Sequence, residues 1–212
     1  MLFFAETNNN VAQIDDALIH RIVQRVLSQA AGLSQSPTAP PAAPVAVPQP
    51  EPKASPKADA GRKLVAIGAD HGGFELKELL KPEITALGFE VTDVGTHGKE
   101  AVDYPDFAHA VAQLVGSGAA VRGIVIDGAG IGSCIVANKV PGVRAGLAYD
   151  LSSANNGREH NDTNVLTLGA GLIGIALAKQ IVKVWLTTPF AGGRHAARVA
   201  KITAIEKQYL KS

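Results

Sequence analysis

Carboxylate, imidazole and amide side chains stand where the predicted strands of this sequence end or begin. Carboxylates and imidazoles are the side chains that most often take and return protons in catalysis. The carboxyl ends of parallel strands meet at one edge of a sheet, and functional groups gather there. We therefore expect a site built from strand ends. The residues that mark it are Asp70, His71, Asp127, His160 and Asn161.

A glycine-rich loop directly follows Asp127. The segment VIDGAGIGSCIVANK, residues 125–139, reads as a buried strand, three alternating glycines and a short helix. The backbone amides of such a loop favour a phosphate group or a developing oxyanion. The only cysteine of the chain, Cys134, falls inside the predicted helix, where we expect a packing role.

The glycine loop also raises the alternative of a nucleotide-binding protein. Its spacing is G-x-G-x-G, and Ser133 stands where the dinucleotide fingerprint has its last glycine. The loop follows a third predicted strand rather than the first. A nucleotide site is therefore disfavoured, and titration with NAD would test it.

Two arginines lie one helical turn apart at the start of the last predicted helix. The i, i+4 spacing of Arg194 and Arg198 places both guanidinium groups on one helix face, where they can hold a phosphate. The positive end of the helix dipole would add to this attraction. No cysteines and histidines of the sequence have the spacing of a zinc site, so we expect no metal. His195, next to Arg194, receives no predicted role.

Composition argues against several classes of function. The 212 residues carry a formal net charge of +1, so the charge balance favours neither nucleic acid nor an anionic membrane surface as a partner. One cysteine cannot form an internal disulfide and is typical of a reducing compartment. No apolar run is long enough to cross a bilayer, and the first residues lack the basic start of a secretory signal. The sequence predicts a soluble cytoplasmic protein.

From residue 63 onward, apolar runs alternate with helical patterns. Five short apolar runs are separated by helices, and Pro82 is expected to kink or divide the first of these helices. Near-continuous apolar strands joined by helical crossovers predict a parallel sheet covered on both faces. The sequence thus predicts an α/β domain over 63–212.

The first 62 residues differ in character. Residues 37–56 hold eight of the twelve prolines of the chain, which favours an extended, semi-stiff linker. Before this stretch, residues 9–30 predict an amphipathic helix whose apolar face must dock against another surface. We therefore divide the chain into a helical segment, 1–36, a linker, 37–62, and the α/β domain.

Three kinds of surface could cover the apolar face of the predicted N-terminal helix. Packing on its own domain or self-association is one alternative. A membrane surface is disfavoured, because the polar face is not rich in Lys or Arg and the segment has no Trp. The helix on its proline-rich linker is similar to the encapsulation peptides that direct enzymes into bacterial microcompartments. We therefore expect residues 9–30 to bind a microcompartment shell or cargo protein and to bring the chain into the lumen.

Five motifs between Leu64 and Tyr209 are specific in combination: GADHGGFELK, DYPDFA, GAGIGSCIVANKVPGVRA, REHNDTNVLTLG and GGRHAARVAKI. In these motifs the chain resembles the type B ribose-5-phosphate isomerases, a family that includes the subunits of galactose-6-phosphate isomerase. The resemblance implies a Rossmann-like αβα sandwich with a five-stranded parallel sheet. It also implies aldose–ketose isomerisation of phosphorylated sugars without a metal or organic cofactor. The family forms homodimers or dimers of dimers with active sites shared between subunits.

The resemblance implies roles for individual residues. His160 matches the position that opens the sugar ring, and an imidazole titrates near neutral pH, as a proton shuttle requires. His71, Arg194 and Arg198 match the phosphate ligands, Asp70 and Asn161 match contacts with sugar hydroxyls, and Tyr104 lies near the pocket.

The glycine loop is expected to bind the reaction intermediate. Removal of a proton from carbon two of an aldose gives an enediolate, whose oxyanion the loop amides can face as preorganised donors. The loop residues expected in this role are Gly128, Gly130, Ile131, Gly132 and Ser133.

The chain departs from the family at the catalytic base. The family usually carries a cysteine base at the position of Asp127, and some members instead place a glutamate at the position of Ser133. We expect Asp127 to be the carbon-acid base, as carboxylates are in other isomerases. A free aspartate is a weak base, so this role requires a desolvated carboxylate. Ala129 stands where many relatives have threonine, which removes one hydroxyl contact.

The leading hypothesis is an aldose–ketose isomerase that acts on ribose 5-phosphate inside a bacterial microcompartment. The alternative is a non-catalytic protein that binds a sugar phosphate, or a scaffold that docks through its N-terminal helix. Turnover separates the two, since a binding protein is stabilised by its ligand without converting it.

Overall fold

A computed structural model describes residues 63–210 and six earlier residues. The chain divides into two units, Met1–Ala54 and Ser55–Ser212. In the first unit, three described residues, His20, Gln24 and Ser28, belong to the face predicted to be polar, and all three are helical and exposed. Apart from Ala17, Arg21 and Arg25, the remaining predicted helix positions and the whole linker lie outside the described residues. The other helical, exposed residues described in this unit are Ala17, Arg21 and Arg25.

Five strands and six helices make up the described part of the second unit. Strands and helices alternate along the chain as predicted, and two helices follow one another at the end. Among the described residues, no helix is both long and apolar enough to cross a membrane. In chain order the elements are β1 (Leu64–Ala69), α1 (Phe74–Ala86), β2 (Glu90–Asp93), α2 (Tyr104–Gly116), β3 (Arg122–Asp127), α3 (Ile131–Ala137), β4 (Ala145–Leu147), α4 (Leu151–Asn161), β5 (Val165–Gly169), α5 (Ile175–Thr187) and α6 (Arg194–Tyr209).

The five strands form one parallel sheet in the order β2-β1-β3-β5-β4. The central strands β1, β3 and β5 are buried along almost their whole length, whereas the edge strands β2 and β4 are short and only partly buried. Continuous apolar runs occupy the centre because helices cover both of its faces. This confirms the predicted α/β fold with a five-stranded parallel sheet.

Two apolar cores lie on opposite faces of the sheet. One core packs α1 and α5 against the strands around Ile67, Leu80 and Trp185. The other packs α2 and α3 against the strands around Val111 and Val125. Successive residues of a strand point to opposite faces, so a strand buried on both sides contributes to both cores. Because both faces of the sheet are covered by apolar cores, the polar side chains lie mainly at the ends of the strands.

Helix α1 continues through Pro82, so the chain is not divided there as the sequence had suggested. Proline lacks the amide that would bond to the residue four positions earlier. Leu80 and Ile84 flank Pro82, and both are fully buried. Burial of such side chains is worth about 2 kcal/mol each, which offsets the missing hydrogen bond.

Candidate active site

Asp70 and Asp127 lie at the carboxyl ends of adjacent strands. Ala69 pairs with Ile126 in the β1–β3 register, and the amide of Asp70 donates to the carbonyl of Ile126 at 3.3 Å. Both carboxylate residues are largely withdrawn from solvent, with 8% of Asp70 and 5% of Asp127 exposed. The structure thus brings these two predicted site residues together.

Asp127 holds the glycine loop through four hydrogen bonds. Its Oδ1 accepts from the amide of Ala129, at 2.8 Å, and from the amide of Gly130. Its Oδ2 accepts from the amide of Ser133, at 3.1 Å, and from the hydroxyl of the same residue, at 2.5 Å. A carboxylate offers about four lone-pair directions. These four donors use all of them.

This geometry does not support the base role predicted for Asp127, because its carboxylate keeps no lone pair for a substrate. It also corrects one expectation about the loop: the amides of Gly130 and Ser133 face Asp127 and are not free for an enediolate. The predicted loop amides that have no hydrogen-bond partner among the described residues are those of Gly128, Ile131 and Gly132.

Close packing fixes the shape of the loop. Gly130 has a φ of 76°, in the left-handed region that favours glycine. A Cβ at this position would stand 2.6 Å from Cδ1 of Leu147 and 2.8 Å from the carbonyl carbon of Leu168. The hydroxyl of Tyr149 donates to the carbonyl of Ala129 at 2.7 Å. The protein itself therefore holds the loop in one conformation, as preorganised donors require.

Tyr104 and His71 border the same loop. Ring atoms and the hydroxyl of Tyr104 lie 2.5 to 2.6 Å from the point where a Cβ of Gly132 would stand, so only glycine lets the ring approach this closely. His71 is exposed, and its Nδ1 lies 3.2 Å from the carbonyl of Val102, which precedes the start of α2. We call this set the loop group: Asp70, His71, Tyr104, Asp127 and the loop 128–133.

A second set of predicted residues gathers where α4 ends and α6 begins. The rings of His160 and His195 stack, with centroids 4.2 Å apart and planes within 1° of parallel. Nε of Arg194 donates to Nε2 of His195 at 3.4 Å, and the amide of Ala191 donates to the carbonyl of Glu159 at 3.0 Å, which ties the two segments together. We call this set the histidine group: His160, Asn161, Arg194, His195 and Arg198.

His195 is the member of the histidine group to which the sequence assigned no role. It is buried, with 8% of its surface exposed. Burial, followed by the positive charges of His160, Arg194 and Arg198, lowers the pKa of His195 below its usual 6.5, and the carboxylate of Glu159 acts in the opposite direction. A neutral His195 ring therefore stacks on His160. The only signal in the sequence was its place next to Arg194.

Within one chain, the loop group and the histidine group share no direct polar contact among the described residues. Between residues 63 and 210, no hydrogen bond or ion pair joins the loop group to the histidine group. Asn161 donates from Nδ2 to the carbonyl of Asn156 at 3.4 Å, and it lines a groove of about 700 Å³ that also touches Arg144 and Glu206. No residue of the loop group lines this groove. The predicted site residues thus form two separate sets.

Cys134 packs in α3, in agreement with its predicted role. Its Sγ lies 3.6 Å from the carbonyl of Ala145 and 3.6 Å from Nδ2 of Asn138. Burial raises the pKa of the Cys134 thiol, although hydrogen bonds, first that of Thr167, act in the opposite direction. The reactive thiolate is therefore disfavoured. In the described part of the chain, no cluster of His, Cys, Asp and Glu could hold a metal ion.

Comparisons with known proteins agree with this architecture. The family model described as Ribose/Galactose Isomerase matches residues 65–202. The chain is 50% identical over 147 residues to a putative sugar phosphate isomerase of Bacillus subtilis, covering 69% of this chain and 99% of the relative. It is 46% identical over 146 residues to ribose-5-phosphate isomerase B of Escherichia coli, covering 69% and 98%. The solved structure of Clostridium thermocellum ribose-5-phosphate isomerase B matches with a TM-score of 0.68 and 52% identity, over 69% of this chain and 99% of that one.

The matched residues 65–202 contain every member of the loop group and of the histidine group. They also contain almost the whole of the parallel sheet. The chain therefore belongs to the ribose/galactose isomerase family and is a sugar-phosphate isomerase.

Proposed function

We propose that this isomerase interconverts ribose 5-phosphate and ribulose 5-phosphate. The observation that carries the proposal is the loop group, in which a preorganised glycine loop with unpartnered amides lies beside a buried carboxylate. The enediolate of an aldose phosphate carries negative charge on an oxygen that such amides can bind. The similarity to the Escherichia coli enzyme supports a five-carbon substrate.

In this proposal the histidine group opens the sugar ring and binds the phosphate. His160 opens the sugar ring, because an imidazole can both accept and return a proton near neutral pH. Arg194 and Arg198 lie exposed on one face at the start of α6 and hold the phosphate together with His71. Asn161 and Asp70 both contact the sugar, and Asn161 does so at its hydroxyls.

We further propose that two copies of the chain complete each site. The loop group and the histidine group are both needed for this chemistry, and no described contact joins them within one chain. A homodimer, or a dimer of dimers, would place the loop group of one copy opposite the histidine group of the other. Such a shared site makes activity depend on assembly.

Turnover by the purified full chain tests the substrate. Ribose 5-phosphate, allose 6-phosphate and galactose 6-phosphate are supplied in parallel, and the ketose formed is followed. We expect kcat/KM to be highest for ribose 5-phosphate. Higher kcat/KM on either six-carbon sugar would reject the substrate proposed, and no turnover on any of the three would reject an isomerase of these sugars.

One observation favours a second candidate, a protein that binds a sugar phosphate without converting it. The position at which the family usually has its base carries Asp127, whose lone pairs are all used by the loop. Under this alternative, ribose 5-phosphate raises the melting temperature while no ketose forms. Ketose formation by the wild type excludes it.

We also propose that residues 9–30 carry the enzyme from the cytoplasm into a bacterial microcompartment by binding a shell or cargo protein. An apolar stripe opposite exposed polar positions such as His20, Gln24 and Ser28 supports a docking helix. Deletion of residues 1–36 should release the enzyme from shell-associated fractions without changing its oligomeric state. A change from assembled to monomeric protein would instead make this segment an assembly element.

A further inference from the structure

We propose that Asp70 is the carboxylate that takes the carbon-bound proton, and that Asp127 is a positioning residue that shapes the glycine loop. The inference deepens the proposed isomerase function and rests on it. It assigns the base to the end of β1 rather than to Asp127 at the end of β3.

The first step concerns the two positions at which the sequence suggests a base. Asp127 accepts four hydrogen bonds from its own loop, so its oxygens are already occupied. Ser133 is fully buried, and its hydroxyl donates to Asp127 at 2.5 Å. To accept a proton, Asp127 would have to give up a loop contact in the same step. Neither side chain is poised to receive hydrogen from carbon.

Asp70 differs from Asp127 in having an oxygen to spare. Its Oδ1 accepts from the amide of Gly73 at 3.0 Å, which fixes the carboxylate. Its Oδ2 has no hydrogen-bond partner among the described residues. Among the described residues, Oδ2 of Asp70 does not belong to the side-chain atoms that are both sealed from solvent and unpartnered, so it is open to the surface.

Asp70 lies near one of the amides that would bind the enediolate, that of Gly128. A Cβ on Gly72 would stand 3.4 Å from Oδ1 of Asp70 and 3.7 Å from the amide nitrogen of Gly128. The carboxylate and the first loop amide therefore border the same space, which glycine at position 72 leaves open. The oxygen that borders this space is Oδ1, which also accepts from Gly73, and in the proposal the free Oδ2 of the same carboxylate takes the proton of a substrate whose oxygen is bound at Gly128.

The other polar groups of the loop group have contacts that suit different tasks. Nδ1 of His71 lies against the backbone of Val102, at 3.2 Å from the carbonyl and 3.3 Å from the amide. The ring of Tyr104 packs on Gly132. Asp70 is thus the one carboxylate of the loop group with a free oxygen.

The proposed transfer balances without an oxidant or a cofactor. Asp70 takes the proton from carbon two, the electron pair of that bond forms the double bond between carbons one and two, and the carbonyl pair moves onto oxygen one. The same carboxyl then returns the proton to carbon one. The hydroxyl proton of oxygen two passes to oxygen one, so an aldose becomes a ketose with no net change in oxidation state.

Matched amide variants test the assignment in the full-length protein. D70N, D127N and E83Q are compared for kcat, KM, melting temperature and incorporation of solvent deuterium into the sugar. Glu83 lies on α1 and pairs with Lys179 at 2.7 Å, so E83Q is the control for removal of a carboxylate outside the site. The variant D70E keeps a carboxylate and displaces it by one methylene.

We expect D70N to lose about 10³-fold in kcat and to lose deuterium incorporation, with KM within about threefold and an unchanged melting temperature. D70E should regain measurable deuterium incorporation. D127N should lower the melting temperature and raise KM, because an amide group would point its hydrogens at the loop donors. An active D70N, or a D127N that loses exchange while keeping its melting temperature and KM, would overturn the assignment. An inactive wild type would reject the proposed function itself, before any variant is compared.

Discussion

The imidazole rings of His160 and His195 lie parallel, 4.2 Å apart, at the junction of α4 and α6. Arg194 donates to Nε2 of His195, which requires that nitrogen to be unprotonated and places the hydrogen of the neutral ring on Nδ1. The buried, neutral ring of His195 therefore lies against His160, the residue proposed to open the sugar. His195 fixes the plane of His160 without any need to touch the substrate.

The lowered pKa of His195 predicts acid-sensitive stability. Burial and the neighbouring positive charges keep this pKa below 6.5 in the folded protein. The unfolded chain then binds the proton more readily, so the contribution to stability is complete above about pH 6.5 and is lost as the pH falls towards the folded-state pKa. The variant H195F keeps a ring to stack but cannot titrate. Its melting temperature should fall less between pH 7 and 5 than that of the wild type.

The matched control for this pH dependence is His97, which is exposed. The variant H97F makes the same exchange of histidine for phenylalanine at an exposed position outside the histidine group, and its curve of melting temperature against pH is measured alongside. Parallel curves for the wild type and H195F would show that His195 contributes nothing to the acid sensitivity.

The contact between Tyr104 and Gly132 predicts a pair of compensating mutations. A methyl group at residue 132 would collide with the Tyr104 ring at 2.5 to 2.6 Å. We expect G132A to lower the free energy of unfolding by about 1 kcal/mol, the low end of overpacking, because the end of the Tyr104 ring is partly exposed and can shift. In the Y104A background, which lacks the ring, G132A should cost much less unfolding free energy than it costs in the wild type. Equal effects of G132A in the two backgrounds would mean that the ring is not the obstacle.

The ion pair between Lys77 of α1 and Asp93 of β2 predicts that a neutral residue at position 93 lowers the free energy of unfolding strongly. Lys77 is fully buried and pairs with Asp93 at 2.5 Å and with Glu78 at 2.9 Å. D93N leaves the buried ammonium with one exposed partner, and we expect a loss of about 3 kcal/mol in denaturant unfolding. The exposed pair Lys99–Glu75 is the control, since E75Q should change the free energy of unfolding far less than D93N does.

The same ion pair predicts behaviour in acid. Burial by itself would raise the pKa of Asp93, but the hydrogen bonds from Lys77 and Lys81 outweigh burial and hold this pKa below 3.8. A lowered folded-state pKa gives stability that is present above about pH 3.8 and lost as the pH falls further. Wild type should therefore lose more unfolding free energy than D93N below pH 4. A constant difference between the two proteins from pH 7 to pH 3 would contradict this.

Cys134 is expected to be dispensable for catalysis. The thiol of the half-buried Cys134 has a raised pKa because desolvation disfavours the thiolate, and it packs against the carbonyl of Ala145. C134A should keep kcat within about twofold and lose about 1 kcal/mol of stability. Iodoacetamide should inactivate the wild type no faster than C134A. Inactivation that follows alkylation of Cys134 would show that the thiol lies within reach of the substrate.

The separation of the loop group from the histidine group predicts complementation between subunits. A mixed dimer of D70N and H160Q contains one site with both substitutions and one site with neither. Random mixing makes half of the dimers mixed, so about a quarter of the wild-type activity should return when two inactive variants are refolded together. Activity no higher than that of either variant alone would place both groups at one site within a single chain.

Much of the fold was determined by the sequence alone. Continuous apolar runs separated by helical patterns predicted the parallel sheet, and the residue types after β1 and β3 located Asp70 and Asp127 at its carboxyl edge. The order of the strands along the chain can be predicted because a strand buried on both faces consists almost entirely of apolar residues, and such runs are visible in the sequence. The continuity of α1 through Pro82 was not visible, because burial of Leu80 and Ile84 outweighs a local signal.

Only the tertiary structure decided what the site residues can do. Asp127 looked like a base because of its position, yet the left-handed turn at Gly130 brings three amides and the Ser133 hydroxyl onto its carboxylate. The stack of His160 and His195 joins residues 35 positions apart and leaves no periodic pattern in the sequence. A sequence gives the type and spacing of a side chain. The direction of its lone pairs, and so its freedom to take a proton, depends on where the chain folds back upon it.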